Sequence, residues 1–382
     1  MSDSKSGKIA AEDVARAVHV NHRPGLMNLG NTCYINSALQ ALSMTPDFCR
    51  NLLLSECPAP IVVHLQRLIA MMHYSHYNNV MPSSVLLFRN NPMFPAGEQQ
   101  DCSEYLAHLL NSLNDGERTE GFVPALDDQV HNFTIADKSF SGQLTNIYKC
   151  LVCSHESRIQ NRFRELQLAF PDCGGNRKES FTVQSLIEYN SASDILDGDD
   201  KYACPSCATY CMGEHQTVIT QGPRNLIITL KRFGYDKATH QHTKLMNKVY
   251  PNNTITLTQY NSTMHEVTIL VYRLYAIVIH DGGTINSGHY YALARDAELR
   301  WVRFSDDVVS FMKCPEIRQL RTRDTAHMLF YALSAVKGTA SPEDKENAMP
   351  LSPEEPLVLE ELPAGLLDFV KPYLGGQPPS QS

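Results

Sequence analysis

No stretch of this sequence stays apolar long enough to cross a bilayer. The most apolar run, Val267 to Ile279, is thirteen residues and carries Arg273, against the roughly 20 that a spanning helix needs. An export signal is not expected either, because the start, MSDSKSGKIAAEDVARAV, has no apolar run behind its charges. Basic charge is in deficit: 33 Lys and Arg face 41 Asp and Glu, for a formal net charge of −8. A main partner made of nucleic acid would need a cationic surface, so that class is not expected. A paired set of cysteines is also missing, since there are 11. Four sit in two CxxC pairs and the rest are scattered. That suits a reducing compartment, cytoplasmic or nuclear, with a metal site and not a disulfide framework. No open His/Glu ligand set and no internal repeat stands out, so neither a catalytic metal nor an organic cofactor is expected.

What is present is organised around Gly25 to Leu42, GLMNLGNTCYINSALQAL. Ahead of Cys33 run Gly25, Asn28, Gly30, Asn31 and Thr32, residues that tolerate tight turns. Behind it, Ile35, Ala38, Leu39 and Leu42 recur at helical spacing. Cys33 is therefore expected where a loop enters a helix. Unpaired N–H groups and the positive helix end favour the nucleophilic thiolate there. The competing reading is a small buried hydrophobe at the start of a core helix.

Residues 1–23 read as a flexible lead, and residues 25 to 115 as mostly helical. Ile61, Leu65, Leu68, Ile69 and Met72 make one stripe. Cys102, Tyr105, Leu106, Leu109, Leu110 and Leu113 make another, in a helix starting near Glu98. Asn78 to Pro95 reads as loop. On the second helix Asp101 and Glu104 share a face, which by itself reads as a solvated acidic helix start. From about Asn132 the period shifts towards two. Cys150 and Cys153, with Cys204 and Cys207, offer four thiolates, the set that suits one tetrahedral structural Zn²⁺. Cys211 is the spare thiol nearest to hand. Ser191–Lys201 reads as an acidic loop. Strands are expected at Leu226–Phe233, Glu266–His280, His289–Arg295, Trp301–Phe304 and His327–Leu333. The tail is rich in proline, serine and acid, and is expected to be mostly disordered, with Leu357–Val370 as a docking segment.

Several of these motifs fit one known pattern. GLxNLGNTCYxNSxLQ resembles the cysteine motif of the ubiquitin-specific proteases. GEQQDCSEYL from Gly97, the two CxxC pairs, NLIITLKRF from Asn225, SGHYYALAR from Ser287 and WVRFSDD from Trp301 follow in that family's order. The resemblance implies an α+β, papain-like cysteine protease fold over about residues 24–335. Its thumb would cover about 24–130, its fingers about 131–222 and its palm about 223–335, with the tail at 336–382. It also implies a monomeric, thiol-dependent deubiquitinase. Such an enzyme cleaves the isopeptide or peptide bond after the C-terminal glycine of ubiquitin through a Cys33 thioester. Ubiquitin and ubiquitinated proteins would be the partners.

The resemblance makes His289 the base; taken alone, a surface-loop histidine is the better reading of that residue. It makes Asn28 an oxyanion donor. It turns Asp101 and Glu104 into the acids that grip the arginines of the ubiquitin tail, with Gln100 on the same side. Gly288 and Tyr290, on either side of His289, would wall the channel for the terminal Gly-Gly. Asp236–Asn253 and Asp281–Ser287 would be the loops covering the tail. One catalytic position departs from the pattern. After the aromatic Phe304, Ser305 stands where the family carries Asn or Asp, and Asp306 and Asp307 follow. A serine can accept the Nδ1–H of His289 but brings no charge, so Asp306 is expected to act as its electrostatic partner. Two rivals stay open: a catalytically silent ubiquitin-binding scaffold, and a protease for a ubiquitin-like modifier.

Overall fold

The computed structural model describes residues 23–88, 91–122, 133–172, 179–236, 241–261, 266–284, 287–296, 298–312, 323–338, 349–350 and 357–374. The chain divides into two units, one of residues 1–135, 302–312 and 354–382, the other of residues 136–301 and 313–353. The second and third lobes expected at about 131–222 and 223–335 thus fall largely in one unit. The stretch 302–312 goes with the first.

The first unit is helical. In α1 (Cys33–Ser43) all 11 residues are buried. A helix without an exposed face must satisfy its polar side chains internally. Here they reach back to the loop ahead. Gln40 Nε2 donates to the Pro24 carbonyl at 2.9 Å, and Asn36 Nδ2 to those of Leu26 and Met27 at 3.2 and 3.3 Å. Loop and helix are therefore fastened as one piece. Next come α2 (Pro46–Leu53) and α3 (Pro60–Tyr74). Each starts on a proline, whose fixed φ suits a first turn. α4 (Cys102–Thr119) packs on α1 through Tyr34 and Tyr105, edge to face at 5.8 Å, and Cys102 Sγ donates to the Tyr34 carbonyl. This helix starts at Cys102 and not near Glu98. Asp101 Oδ1 accepts the N–H groups of Ser103 and Glu104 at 2.7 and 3.3 Å, and an N-cap of this kind fixes where a helix begins.

The described part of the tail takes in Leu357–Val370, the segment that the sequence singled out for docking. Residues 357–374 lie along α3. Tyr74 Oη donates to the Leu357 carbonyl at 2.9 Å, and the Arg67 guanidinium sits 4.9 Å over the Phe369 ring. Leu362, Leu366 and Val370, spaced by four across the helix Ala364–Val370 and the turn before it, are buried. That spacing makes one apolar stripe.

The second unit is built on a sheet. Its main strands are β1 (Gly142–Cys150), β2 (Glu156–Phe163), β3 (Glu165–Leu168), β4 (Gly213–Gln221), β5 (Asn225–Leu230), β6 (Thr254–Tyr260), β7 (Val267–Thr284), β8 (Ser287–Arg295) and β9 (Asp324–Gly338). β7 is the spine, pairing antiparallel with β6, β8 and β9. β5 has six buried residues and lies between β3 and β9, so it reads as a continuous apolar run. The buried Arg232 just beyond it donates to the carbonyls of Ala326, Leu245 and Asn247 at 2.6, 2.9 and 2.9 Å.

Four expected loops carry strand: Asn78–Pro95 holds Asn79–Val80, and Asp236–Asn253 holds Gln241–Lys244 and Lys248–Tyr250. Ser191–Lys201 contains Asp194–Leu196, which pairs with β4. Most of Asp281–Ser287 belongs to the β7–β8 hairpin. A Cβ on Gly282 would lie 2.5 Å from the Ser287 carbonyl oxygen, and one on Gly288 2.6 Å from that of Asp281. The glycines here permit two backbones to close on each other. Among the described residues no helix is long and apolar enough to cross a membrane.

Candidate functional site

Cys33 opens α1, at the first helical position after Thr32, and is 2% exposed. Asn28 shapes the loop before it. Its Oδ1 accepts from Gly30 N at 3.0 Å and Thr32 N at 3.3 Å, while Thr32 Oγ1 accepts from Leu29 N at 2.9 Å. The tight path requires left-handed backbone at Gly30 and Asn31, with φ of 98° and 54°. Beside Cys33, burial and then the charges of Cys33 and Cys102 push the Tyr34 phenol up to about 12, so it stays neutral.

Asp306 belongs to the same unit and ties this loop down. Its Oδ2 accepts from Asn28 Nδ2 at 2.8 Å and its Oδ1 from Asn36 Nδ2 at 2.7 Å. Its carbonyl accepts from Leu26 N at 2.9 Å. Gly25 is obligatory here, since a Cβ would stand 2.6 Å from Asp307 Cα. One amide hydrogen of Asn28 is thereby spent on Asp306, which leaves the second for another acceptor. Ser305 precedes this turn and ends the strand Trp301–Ser305. The sequence reading missed Asn36, one helical turn after Cys33 on the buried side.

At the start of α4, Asp101 is buried and its Oδ1 is committed to capping, also accepting Ser103 Oγ at 2.6 Å. Glu104 is the exposed acid of the two. Partial burial, then the Asp101 charge, raises its carboxyl above the usual range. A carboxyl raised in this way gains from a cation placed beside it. Gln100 is half-buried just ahead of the cap.

The remaining expected residues are carried by the second unit. His289 is the third residue of β8, half-buried, and stands opposite Asp281 on β7. Gly288 has φ of 151°. Tyr290, expected to wall a channel, is 1% exposed, with its ring 4.5 Å from that of His280. Successive strand residues face opposite sides, so a ring next to His289 in sequence turns away from it. Lys244 was not singled out in the sequence. Its Nζ donates to Gly282 O at 2.7 Å and contacts His280 Nδ1 at 2.8 Å, and burial pushes it down to about 8.

At the far end of β1 the four cysteines of the two CxxC pairs meet. The sulfurs of Cys150, Cys153, Cys204 and Cys207 all lie within 4.8 Å of one another, and Cys153 and Cys204 are 3.6 Å apart. Sulfurs held at about 2.3 Å from a tetrahedral zinc are about 3.8 Å from each other, so the cluster fits that ion. The residue after each pair, Ser154 and Ala208, is left-handed, with φ of 59° and 52°. The two turns are thus alike, and they aim backbone N–H groups at sulfur: Cys207 N lies 3.4 Å from Cys204 Sγ. Such a bond, from the Cys153 backbone, is the main reason the Cys150 thiol falls to about 6. Cys211 is buried beside the cluster, and burial raises its thiol; it is not one of the four cysteines whose sulfurs lie within 4.8 Å of one another.

Comparison with known proteins bears on both units. The family described as ubiquitin carboxyl-terminal hydrolase matches residues 24–331. Ubiquitin carboxyl-terminal hydrolase 25 of Arabidopsis thaliana is 28% identical over 328 residues, 81% of this chain and 47% of the relative. The chain thus spans about half the length of that protein. Ubiquitin carboxyl-terminal hydrolase 12 of Salmo salar is 28% identical over 343 residues, 81% of this chain and 89% of the relative. Among solved structures, a chain of the SAGA Ubp8/Sgf11/Sus1/Sgf73 DUB module bound to ubiquitin aldehyde superposes with a TM-score of 0.66. It is 22% identical, over 81% of this chain and 69% of that one, and shares its fold.

Proposed function

This chain belongs to the ubiquitin carboxyl-terminal hydrolase family, and on that premise we propose that it is a thiol-dependent deubiquitinase acting through Cys33. The observation that carries the reading is the opening of α1. A cysteine there sits at the positive end of a helix, and the preceding loop is tied through Asn28 and Asn36 to Asp306. A structural cysteine needs no such scaffold.

In the proposed reaction, His289 takes the Cys33 proton. The thiolate attacks the carbonyl carbon of the C-terminal glycine of ubiquitin. The oxyanion is met by the second amide hydrogen of Asn28 and by the Cys33 N–H. His289 returns the proton to the departing lysine amine, leaving a thioester that water hydrolyses with His289 again as base. Ser305 accepts the Nδ1–H of His289, and Asp306 contributes charge. Glu104 recognises arginine in the ubiquitin tail, with Asp101 supplying field from the helix cap and Gln100 beside it. Gly288 gives the tail clearance, and the buried Tyr290 supports the strand behind it. Zinc held by Cys150, Cys153, Cys204 and Cys207 supplies folding stability and no chemistry.

The test is turnover of a ubiquitin C-terminal fluorogenic amide. Wild type should cleave it, and Cys33→Ala should lose cleavage while still binding ubiquitin. An inactive wild type sinks the proposal. Ser305 favours a second reading, the silent ubiquitin-binding scaffold, because it leaves the base without the family's usual partner. An electrophilic ubiquitin probe separates the two: covalent capture at Cys33 supports the enzyme.

A further inference from the structure

One end of the second unit's sheet sorts its charges between two faces. In the β7–β8 pairing His280 stands opposite Tyr290, and Asp281 opposite His289. The His280 and Tyr290 rings meet at 4.5 Å, so those two share a face. Strand neighbours alternate, which puts Asp281 and His289 together on the other face. β9 continues both rows, with Thr325 opposite His280 and Asp324 opposite Asp281. Cross-strand partners keep their Cβ atoms about 4.5–5.5 Å apart. The Asp281 carboxylate is thus the neighbour of the imidazole, and Asp324 lies one strand, about 4.8 Å, further off. The nearby cation is on the opposite face, where Lys244 Nζ contacts His280 Nδ1 at 2.8 Å.

Asp281 is also held in place. Lys244 Nζ donates to the carbonyls on either side of it, Gly282 O at 2.7 Å and His280 O at 3.3 Å. Across the hairpin, Gly288 comes so near that a Cβ would lie 2.6 Å from Asp281 O. A slip in register would require the clamp and the close approach to break together. Among the described residues no hydrogen bond engages the Asp281 carboxylate; with Asp324 it acts on the Lys244 ammonium through space.

We propose that Asp281, from the strand beside His289, joins Asp306 in supplying the negative charge that Ser305 lacks. The inference rests on the reading of His289 as the base. When the Cys33 proton passes to His289, a thiolate and an imidazolium form. Asp281 takes no part in the proton transfer and lowers the energy of the charged ring through space. It is a positioning residue, acting through His289. The other titratable groups of this unit around the ring are Asp324 on the same face, and His280, Tyr290 and Lys244 behind it.

The experiment is a ring titration of His289 by NMR in the full chain, beside the pH profile of kcat/KM. A negative neighbour favours the imidazolium, so Asp281→Asn should lower the ring pKa by about half a unit. The alkaline limb of the profile should move down with it, and Asp324→Asn should shift both less. Ser305→Asp placed in the Asp281→Asn chain should restore the alkaline limb. An unchanged titration in Asp281→Asn, or an equal shift in Asp324→Asn, overturns the assignment. Should wild type prove inactive, the deubiquitinase reading fails on its own account, and the ring titration still decides the role of Asp281.

Discussion

Asp306 holds two amide side chains at once, and one of them, Asn36, is buried. It does so from a left-handed conformation, φ 52°, that most residues avoid. Removing its carboxylate takes a charge-assisted bond from Asn36, which keeps the Leu26 and Met27 carbonyls, a loss of about 1.5–3 kcal/mol. It also releases Asn28, the proposed oxyanion donor. Asp306→Ala should therefore lower kcat/KM more than Ser305→Ala, and lower the melting temperature too, while Ser305→Asn stays active. The reverse ranking would make the Ser305 hydroxyl the group that matters. Glu104→Lys places a cation where arginine of the ubiquitin tail is proposed to bind. Charge-assisted bonds contribute about 1.5–3 kcal/mol each, so kcat/KM should fall roughly tenfold or more. An unchanged value returns Glu104 to an ordinary solvated helix start. The loop-to-helix setting of Cys33 was legible because it is local. Asn36 was not, because the acceptor that explains it lies 270 positions away.

At the scale of elements, the two cysteine turns behave as a matched pair. If zinc ties them, Cys204→Ser should release the metal and lower thermal stability, because binding free energy is part of folding free energy. Purified protein with well under one zinc per chain would count against it. Ala208 pays for its left-handed backbone, so Ala208→Gly should stabilise by up to about 1 kcal/mol, read as a raised denaturation midpoint. Loss of stability would mean its side chain packs. The helices and strands that the sequence singled out lie close to where the structure has them, since their apolar periods are strong, whereas Gly213–Gln221, Thr254–Tyr260 and Val183–Asn190 were not expected. The sequence misjudged the ends governed by glycine and capping. Gly282, Gly283 and Gly288 read as a loop because glycine is a turn signal, yet two of them serve close approach between paired strands. The start of α4 slid to Cys102 because an Asp101 side chain, and not the apolar period, sets it.

At the scale of the molecule, the first unit is assembled from three separated stretches of chain. Motif order along the sequence predicted regions, and regions are contiguous by nature. The return of residues 302–312 and 354–382 to the first unit depends on contacts between distant positions, which no local pattern encodes. One such contact set bears on where a gene is cut. The family match stops at residue 331, β9 runs on to Gly338, and the segment at 357–374 still covers α3. A clone ended at the family boundary would break β9 seven residues short of its end. One ended just after Gly338 would keep the sheet but lay bare the side of α3 under Leu357, Leu362, Leu366 and Val370. Each such side chain contributes about 1.5–3 kcal/mol when fully buried. The shortened protein should melt several degrees lower and bind a dye for exposed apolar surface. Equal melting of the two lengths would make the last forty-odd residues dispensable in the test tube; otherwise a stop codon placed for tidiness yields a sticky protein, whose poor behaviour would be blamed on the catalytic domain.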